Sequence, residues 1–157
     1  RARRAEFGLA TERIAIAGAS AGAHLAAMLL APGWQAAFGL PPDVVKAGVL
    51  VSGLYDLAPV QQTTPNDWLA LDSAEAAALS PQSCLPDAGA RLCIATAEKD
   101  TDEFKRQSLD YAAACTRHGC AVQYAEIPGR NHFDVIMDWM NPQALLTQST
   151  WDLLAPA

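Results

Sequence analysis

The sequence predicts an α/β fold of about four parallel strands flanked by helices, and three observations carry that reading. Apolar β-type runs alternate with helical runs in the order β-α-β-(excursion)-β-α-β-α. Alternation of this kind implies a parallel sheet covered on both faces. Residues 44–52, VVKAGVLVS, form a near-continuous apolar, β-branched run, as expected of a strand buried on both sides. Finally, Gly18-Ala19-Ser20-Ala21-Gly22 forms a tight link between a short β-type run and a helical one.

Composition sets outer bounds. The chain has 157 residues, 51% of them apolar and 18% charged, with a net charge of -6. That is long enough for one domain with a real core, and too apolar for disorder. The negative balance argues against general nucleic-acid binding. No stretch is long and apolar enough to span a bilayer. The start, Arg1-Ala2-Arg3-Arg4, is basic, but no apolar signal-peptide segment follows, so a cytoplasmic location is expected. The first residue is not Met, and the chain reads as cut from something longer. The four cysteines, Cys84, Cys93, Cys115 and Cys120, are too few and too irregular for a disulfide framework, so reduced thiols are expected.

Residues 1–9 read as the last turns of a helix closing at Gly8. The first strand covers 13–17, and a helix covers 24–30 until Pro32-Gly33 breaks it. Residues 34–42 are a surface loop or short helix with Trp34 and Phe38 packed down. After the buried strand 44–52, residues 54–86 make a lid-like excursion containing a helical piece, 72–79. Long excursions of this kind commonly carry substrate pockets. Tyr55 and Trp68 in it could stack on an aryl group or simply pack the excursion onto the sheet.

The third strand is 91–96. The helix at 103–118 turns Phe104, Leu109, Tyr111, Ala112 and Cys115 inward. Residues 121–127 are the fourth strand, 128–132 a loop, and 133–140 the start of a helix that Asn141-Pro142 interrupts. A last helix runs over 143–154. Cys115-Thr116-Arg117-His118-Gly119-Cys120 has the look of a metal cluster. The structural reading is better: Gly119 suits the position after a helix end, His118 suits the negative end of the dipole, and the cysteines are small apolar fillers. No metal is expected.

The chemistry starts at Ser20. Strand before and helix after are the context that gives G-x-S-x-G its mechanism: the apex hydroxyl stands proud of the sheet on strained backbone. Gly18 and Gly22 let strand and helix approach without a Cβ clash. The Ala21 N–H points where an oxyanion would form. A plain helix cap is the bland reading of the same serine. In parallel sheets, reactive residues gather outside the carboxyl ends of the strands. Ser20, Asp100 and His132 each lie just past such an end, in the chain order nucleophile, acid, base of α/β-hydrolases. Ser20 needs a base, His132 can take and return its proton at neutral pH, and an acid can hold the imidazole in one tautomer. Asp100 is the choice for the acid over Asp102, which could instead cap the helix beginning near Glu103. His24 reads as a helix-face residue, and Asp134 and Asp138 as solvated helix positions.

The chain resembles the kynurenine formamidases (arylformamidases), a branch of the α/β-hydrolases. The resemblance rests on Ser20-Ala21-Gly22-Ala23-His24-Leu25-Ala26-Ala27, on Ser52-Gly53-Leu54-Tyr55-Asp56-Leu57 followed by Pro59, and on Ser80-Pro81. It also rests on Asp100 with Glu103-Phe104-Lys105-Arg106-Gln107-Ser108, and on Asn131-His132-Phe133-Asp134. The resemblance implies the C-terminal half of an α/β-hydrolase fold, with Asp100 as the triad acid. It also implies hydrolysis of N-formyl-L-kynurenine to L-kynurenine and formate in tryptophan breakdown, without metal or organic cofactor. The expected partner is a small-molecule substrate, not nucleic acid or membrane, and a homodimer is left open. The rival readings are a short-acyl carboxylesterase and a non-catalytic binding domain.

Two departures stand out. Ala19 occupies a position where relatives usually carry His. More important, no H-G-G-type loop, which would donate the first oxyanion N–H groups, exists in this sequence. The fold's first strands are absent too, which would leave the elbow strand an unpaired edge. The chain by itself is therefore expected to be inactive or nearly so.

Overall fold

The computed structural model describes residues 3–8, 10 and 14–155. Arg1, Ala2, Leu9 and Arg13, which fall in the expected first helix and first strand, lie outside the described residues. The elements are α1 (Arg4–Phe7), β1 (Ala15–Ala19), α2 (Ala21–Leu30), β2 (Ala47–Val51), α3 (Asn66–Leu69), α4 (Ser73–Ala78), β3 (Arg91–Ala97), α5 (Asp102–Arg117), β4 (Ala121–Ile127) and α6 (Leu145–Leu154). Short 3-10 turns cover Gln35–Phe38, Pro59–Gln62, Pro81–Ser83 and Val135–Met140. None of the helices is long and apolar enough to cross a membrane, among the described residues.

The four strands pair in parallel in the order β1-β2-β3-β4. Parallel neighbours cannot be joined by a hairpin, so each connection carries helix: α2, then α3 and α4, then α5. All five residues of β2 are buried, as its unbroken apolar run demands. Among the described residues β1 pairs only with β2, so it forms one edge of the sheet.

Strand alternation divides the core in two. Leu50, Leu92 and Ile94 face α2 and α5, where they meet Ala23, Ala26, Ala27, Leu30, Tyr111 and Cys115. Their neighbours Val49, Val51, Cys93, Ala95 and Ala97 face the opposite way, toward Val135 and Leu146 of α6 and the turn before it. The alanine stripe of α2 lets that helix lie close on the sheet. A Cβ on Gly48 of β2 would fall 2.8 Å from Leu30 Cδ1.

Two expectations about packing fail. Phe38 was expected to pack down, yet it is 72% exposed, its ring set edge-on to that of Trp34, itself half-buried. The buried residue of that turn is Gln35, whose side chain bonds Ala31 O and Gly33 N. Leu109 is exposed, whereas Gln107, Ser108, Tyr111, Ala112, Ala114 and Cys115 are buried. Position 109 sits about 100° round the helix from 108, off the stripe that meets the sheet. Apolarity suggested Leu109, but angular position decided.

The excursion after β2 contains no strand, as expected, but its first part is core. Gln107 Oε1 accepts from the Tyr55 and Asp56 amides at 2.7 and 2.9 Å, and Ser80 Oγ accepts from the Leu57 amide at 2.8 Å. α4 is held by a capping box: the Asp72 carboxylate accepts from the Ala74 and Glu75 amides, and Glu75 accepts from the Asp72 amide. At the end of α5, His118 is the last capped position, and Gly119 follows with φ +95, as its sequence context predicted.

Candidate active site

Each strand end contributes one part. Ser20 follows β1 directly, and its amide donates to Val51 O at 2.9 Å, extending the β1–β2 ladder by one step. Its backbone then turns sharply, with φ 55 and ψ -123. A non-glycine residue adopts this region only under constraint. Part of the constraint is Gly18: a Cβ there would lie 2.2 Å from Gly22 O and 2.9 Å from Ala23 N. Strand and helix backbones are in contact at this point, and only hydrogen fits between them. Gly22 differs from expectation, because a Cβ on it would meet nothing within 4 Å. The close approach needs one glycine, not two. Ala21 is the first residue of α2, and first-turn amides have no carbonyl of their own helix to pair with.

His132 follows β4, on a loop that is locked from several sides. Its neighbours Asn131 and Asp134 form a reciprocal pair: Asp134 accepts from the Asn131 amide and side chain at 2.7 and 3.0 Å, and Asn131 Oδ1 accepts from the Phe133 and Asp134 amides. Arg130 binds Asp138 through Nε at 2.8 Å and its terminal nitrogen at 2.6 Å. Asp134 and Asp138, expected to be solvated, are therefore braces of this loop. The loop after β3 is stitched to it: Glu98 accepts from the Gly129 amide, and the Lys99 amide donates to Arg130 O. Phe104, at the start of α5, lays its ring 4.3 Å from the His132 ring, centroid to centroid.

The three residues singled out in the sequence come together. Ser20 Oγ lies 2.9 Å from His132 Nε2, and His132 Nδ1 lies 2.8 Å from Asp100 Oδ1. A carboxylate only accepts, so Nδ1 carries the ring proton and Nε2 accepts from the Ser20 hydroxyl. The Asp100 side chain is fully buried, and the His132 side chain is 20% exposed. A buried carboxylate is costly without donors. Among the described residues Asp100 has three: His132 Nδ1–H on Oδ1, and the Ala97 amide (2.8 Å) and Ser52 hydroxyl (2.5 Å) on Oδ2. Asp102, the alternative acid, is the first residue of α5, and the preceding cap residue Thr101 makes no side-chain cap bond.

The two aromatic candidates part company. Tyr55 is completely buried and stacked on Tyr111, with ring centroids 4.2 Å apart and planes within 4°. It offers no face to a ligand, and the expectation that it binds substrate is corrected: the packing alternative holds. Burial also pushes both phenols far above their ordinary range, so neither is a proton carrier. Trp68, on α3, is 80% exposed. His24 Nε2 lies 2.8 Å from Leu79 O and ties α2 to the excursion, a structural use. The Cys115 thiol is pushed up to about 12 by burial, which leaves it a filler rather than a nucleophile.

Ser52, Phe104, Asn131 and Asp134 were missed as site residues. Asn131 and Asp134 had a readable signal, since an Asx residue bonding amides two and three residues on is a local pattern. Ser52 had none, because its partner lies 48 residues away.

A model of the α/β hydrolase fold family matches residues 1–135. The chain belongs to the α/β-hydrolase fold family. Within it, the kynurenine formamidase of Salmo salar is 34% identical over 139 residues, covering 85% of this chain and 47% of that protein. The kynurenine formamidase of Danio rerio is 34% identical over 138 residues, covering 85% of this chain and 46% of its own. The chain thus spans about half the length of these curated relatives. A thermostable esterase from Pseudomonas putida superposes with a TM-score of 0.68 at 20% identity, over 98% of this chain and 55% of that one. At that identity the likeness is one of fold.

Proposed function

We propose that this α/β-hydrolase is a serine hydrolase that cleaves the formyl amide of N-formyl-L-kynurenine to L-kynurenine and formate. The observation that carries the reading is the unbroken hydrogen-bond chain Ser20–His132–Asp100 at the carboxyl end of the sheet. Likeness to kynurenine formamidases supports the choice of substrate.

The steps follow from the geometry. Ser20 Oγ attacks the formyl carbon while His132 Nε2 takes its proton, and Asp100 stabilises the imidazolium. The developing oxyanion faces the Ala21 amide. His132 then protonates the aryl amine as the C–N bond breaks, leaving a formyl ester on Ser20. Water, deprotonated by His132, attacks that ester, and formate leaves as the proton returns to Ser20. A formyl carbonyl is unhindered, and an aryl amine departs more readily than an alkyl one. Trp68 is the remaining aromatic candidate for contact with the aryl ring.

One oxyanion donor is a thin complement, since losing a donor typically costs ~2.7–4 kcal/mol of transition-state stabilisation. The 157-residue chain assayed alone is therefore expected to turn over little or nothing. The test uses the full natural protein with N-formyl-L-kynurenine, p-nitrophenyl acetate and a fluorophosphonate probe. Formamide turnover exceeding ester turnover, with labelling lost in Ser20→Ala, is the expected result. Ester turnover alone would make it a carboxylesterase. No turnover and no labelling would make it a binding domain.

A further inference from the structure

We infer that Ser52 is a positioning residue of this site, acting through the carboxylate of Asp100. The inference rests on the hydrolase reading above and extends it to a fourth side chain.

The Ser52 hydroxyl donates to Asp100 Oδ2 at 2.5 Å, and the residue is 1% exposed, so water does not compete for this bond. The second donor on the same oxygen is the Ala97 amide. A carboxylate turns readily about its last side-chain bond, because that torsion is broad and roughly two-fold. One donor on Oδ2 leaves the plane free to swing about the bond to that donor. Two donors from different strand ends fix it, and the fixed plane points Oδ1 at His132 Nδ1.

The backbone at Ser52 supports a role for the hydroxyl. Its φ is 49, in the left-handed region that favours glycine. Its amide donates to Ala95 O at 2.7 Å, so the residue is anchored to β3 as it leaves β2. A serine at this position carries a conformational cost that glycine would avoid. The return on that cost is the hydroxyl directed at Asp100.

The wider geometry adds a closing link. Ser20 follows β1, Ser52 follows β2, Asp100 follows β3 and His132 follows β4. The chain from Ser20 through His132 and Asp100 to Ser52 ends on β2, and the Ser20 amide is itself bonded to Val51 O of that strand. The hydrogen bonds form a ring over all four strand ends, so nucleophile and acid share one anchor.

The test compares Ser52→Ala, Ser52→Gly and Ser52→Cys in the full natural protein, with wild type and Ser20→Ala as controls. The substrates are N-formyl-L-kynurenine and p-nitrophenyl acetate. Glycine fits the φ of 49 and keeps the experiment decisive where alanine fails to fold. Both hydroxyl-free variants are expected to lose about 10- to 100-fold in kcat, the scale of a reacting group displaced by about an ångström. KM should stay within about two-fold, since Ser52 acts on the acid and not on substrate. Ser52→Cys, with its weak S–H donor, should fall between them and wild type. Wild-type kcat in Ser52→Gly would overturn the inference while leaving the hydrolase reading standing, and so would a loss confined to KM. A wild-type protein with no turnover, and no fluorophosphonate label on Ser20, would overturn both.

Discussion

Replacing Ser20 by glycine and, separately, by alanine isolates the backbone strain stored at the elbow. Both variants lose the hydroxyl and its bond to His132, so they differ mainly in what the backbone tolerates. At φ 55 and ψ -123 a residue with a Cβ carries a cost of ~1–3 kcal/mol, and glycine carries little of it. Glycine also has more unfolded-state freedom to lose, ~0.5–1 kcal/mol relative to alanine. Taking the middle of each range, the difference leaves Ser20→Gly more stable than Ser20→Ala by about 1 kcal/mol. In a domain of this size that is about 2–4 °C in Tm. The order is the reverse of the one normally seen when alanine and glycine are exchanged in regular structure. The assay is thermal unfolding of both variants, purified identically as the full natural protein. An alanine variant as stable as the glycine variant, or more so, would show that the elbow stores no strain and refute the reasoning.

Two further outcomes test the frame around the site. Gly18→Ala forces a Cβ to within 2.2 Å of Gly22 O, a backbone atom that can move only by shifting α2. It should cost at least about 2 kcal/mol in denaturant unfolding, whereas Gly22→Ala, which meets nothing within 4 Å, should cost little. Glu103 accepts from Arg106 and Gln107, which holds its carboxyl at about 2 rather than 4.5. A lowered carboxyl contributes stability that is present above about pH 4.5 and is lost as pH falls toward 2. Because the pair is half exposed, the contribution is small, below about 1 kcal/mol. The Tm gap between wild type and Glu103→Gln should accordingly narrow from pH 7 to pH 3, and a gap that stays constant would count against the assignment.

Much of this was legible in the chain because the signals were local. A buried parallel strand must be apolar throughout, and 44–52 is close to that. A strand meeting a helix across G-x-S-x-G must turn at the serine, and Ser20 does, at positive φ. His132 and Asp100 were readable because parallel sheets put the ends of all strands on one rim, so position after a strand already implies proximity. The resemblance to kynurenine formamidases supported the choice of Asp100 over Asp102, which the residues after the third strand had already suggested.

What the polymer sequence could not carry was direction. Whether an aromatic residue is a ligand face or a core plug depends on the element packed above it: Tyr55 is closed off by Tyr111, 56 residues further on, while Trp68 stands in the open. Whether a serine after a strand matters depends on where its hydroxyl points, and Ser52 points at a carboxylate on another strand's loop. Periodicity and turn chemistry act over a few residues and determined the elements and their order. Hydrogen bonds between strand ends act through space, and only the folded sheet decided which side chains share them.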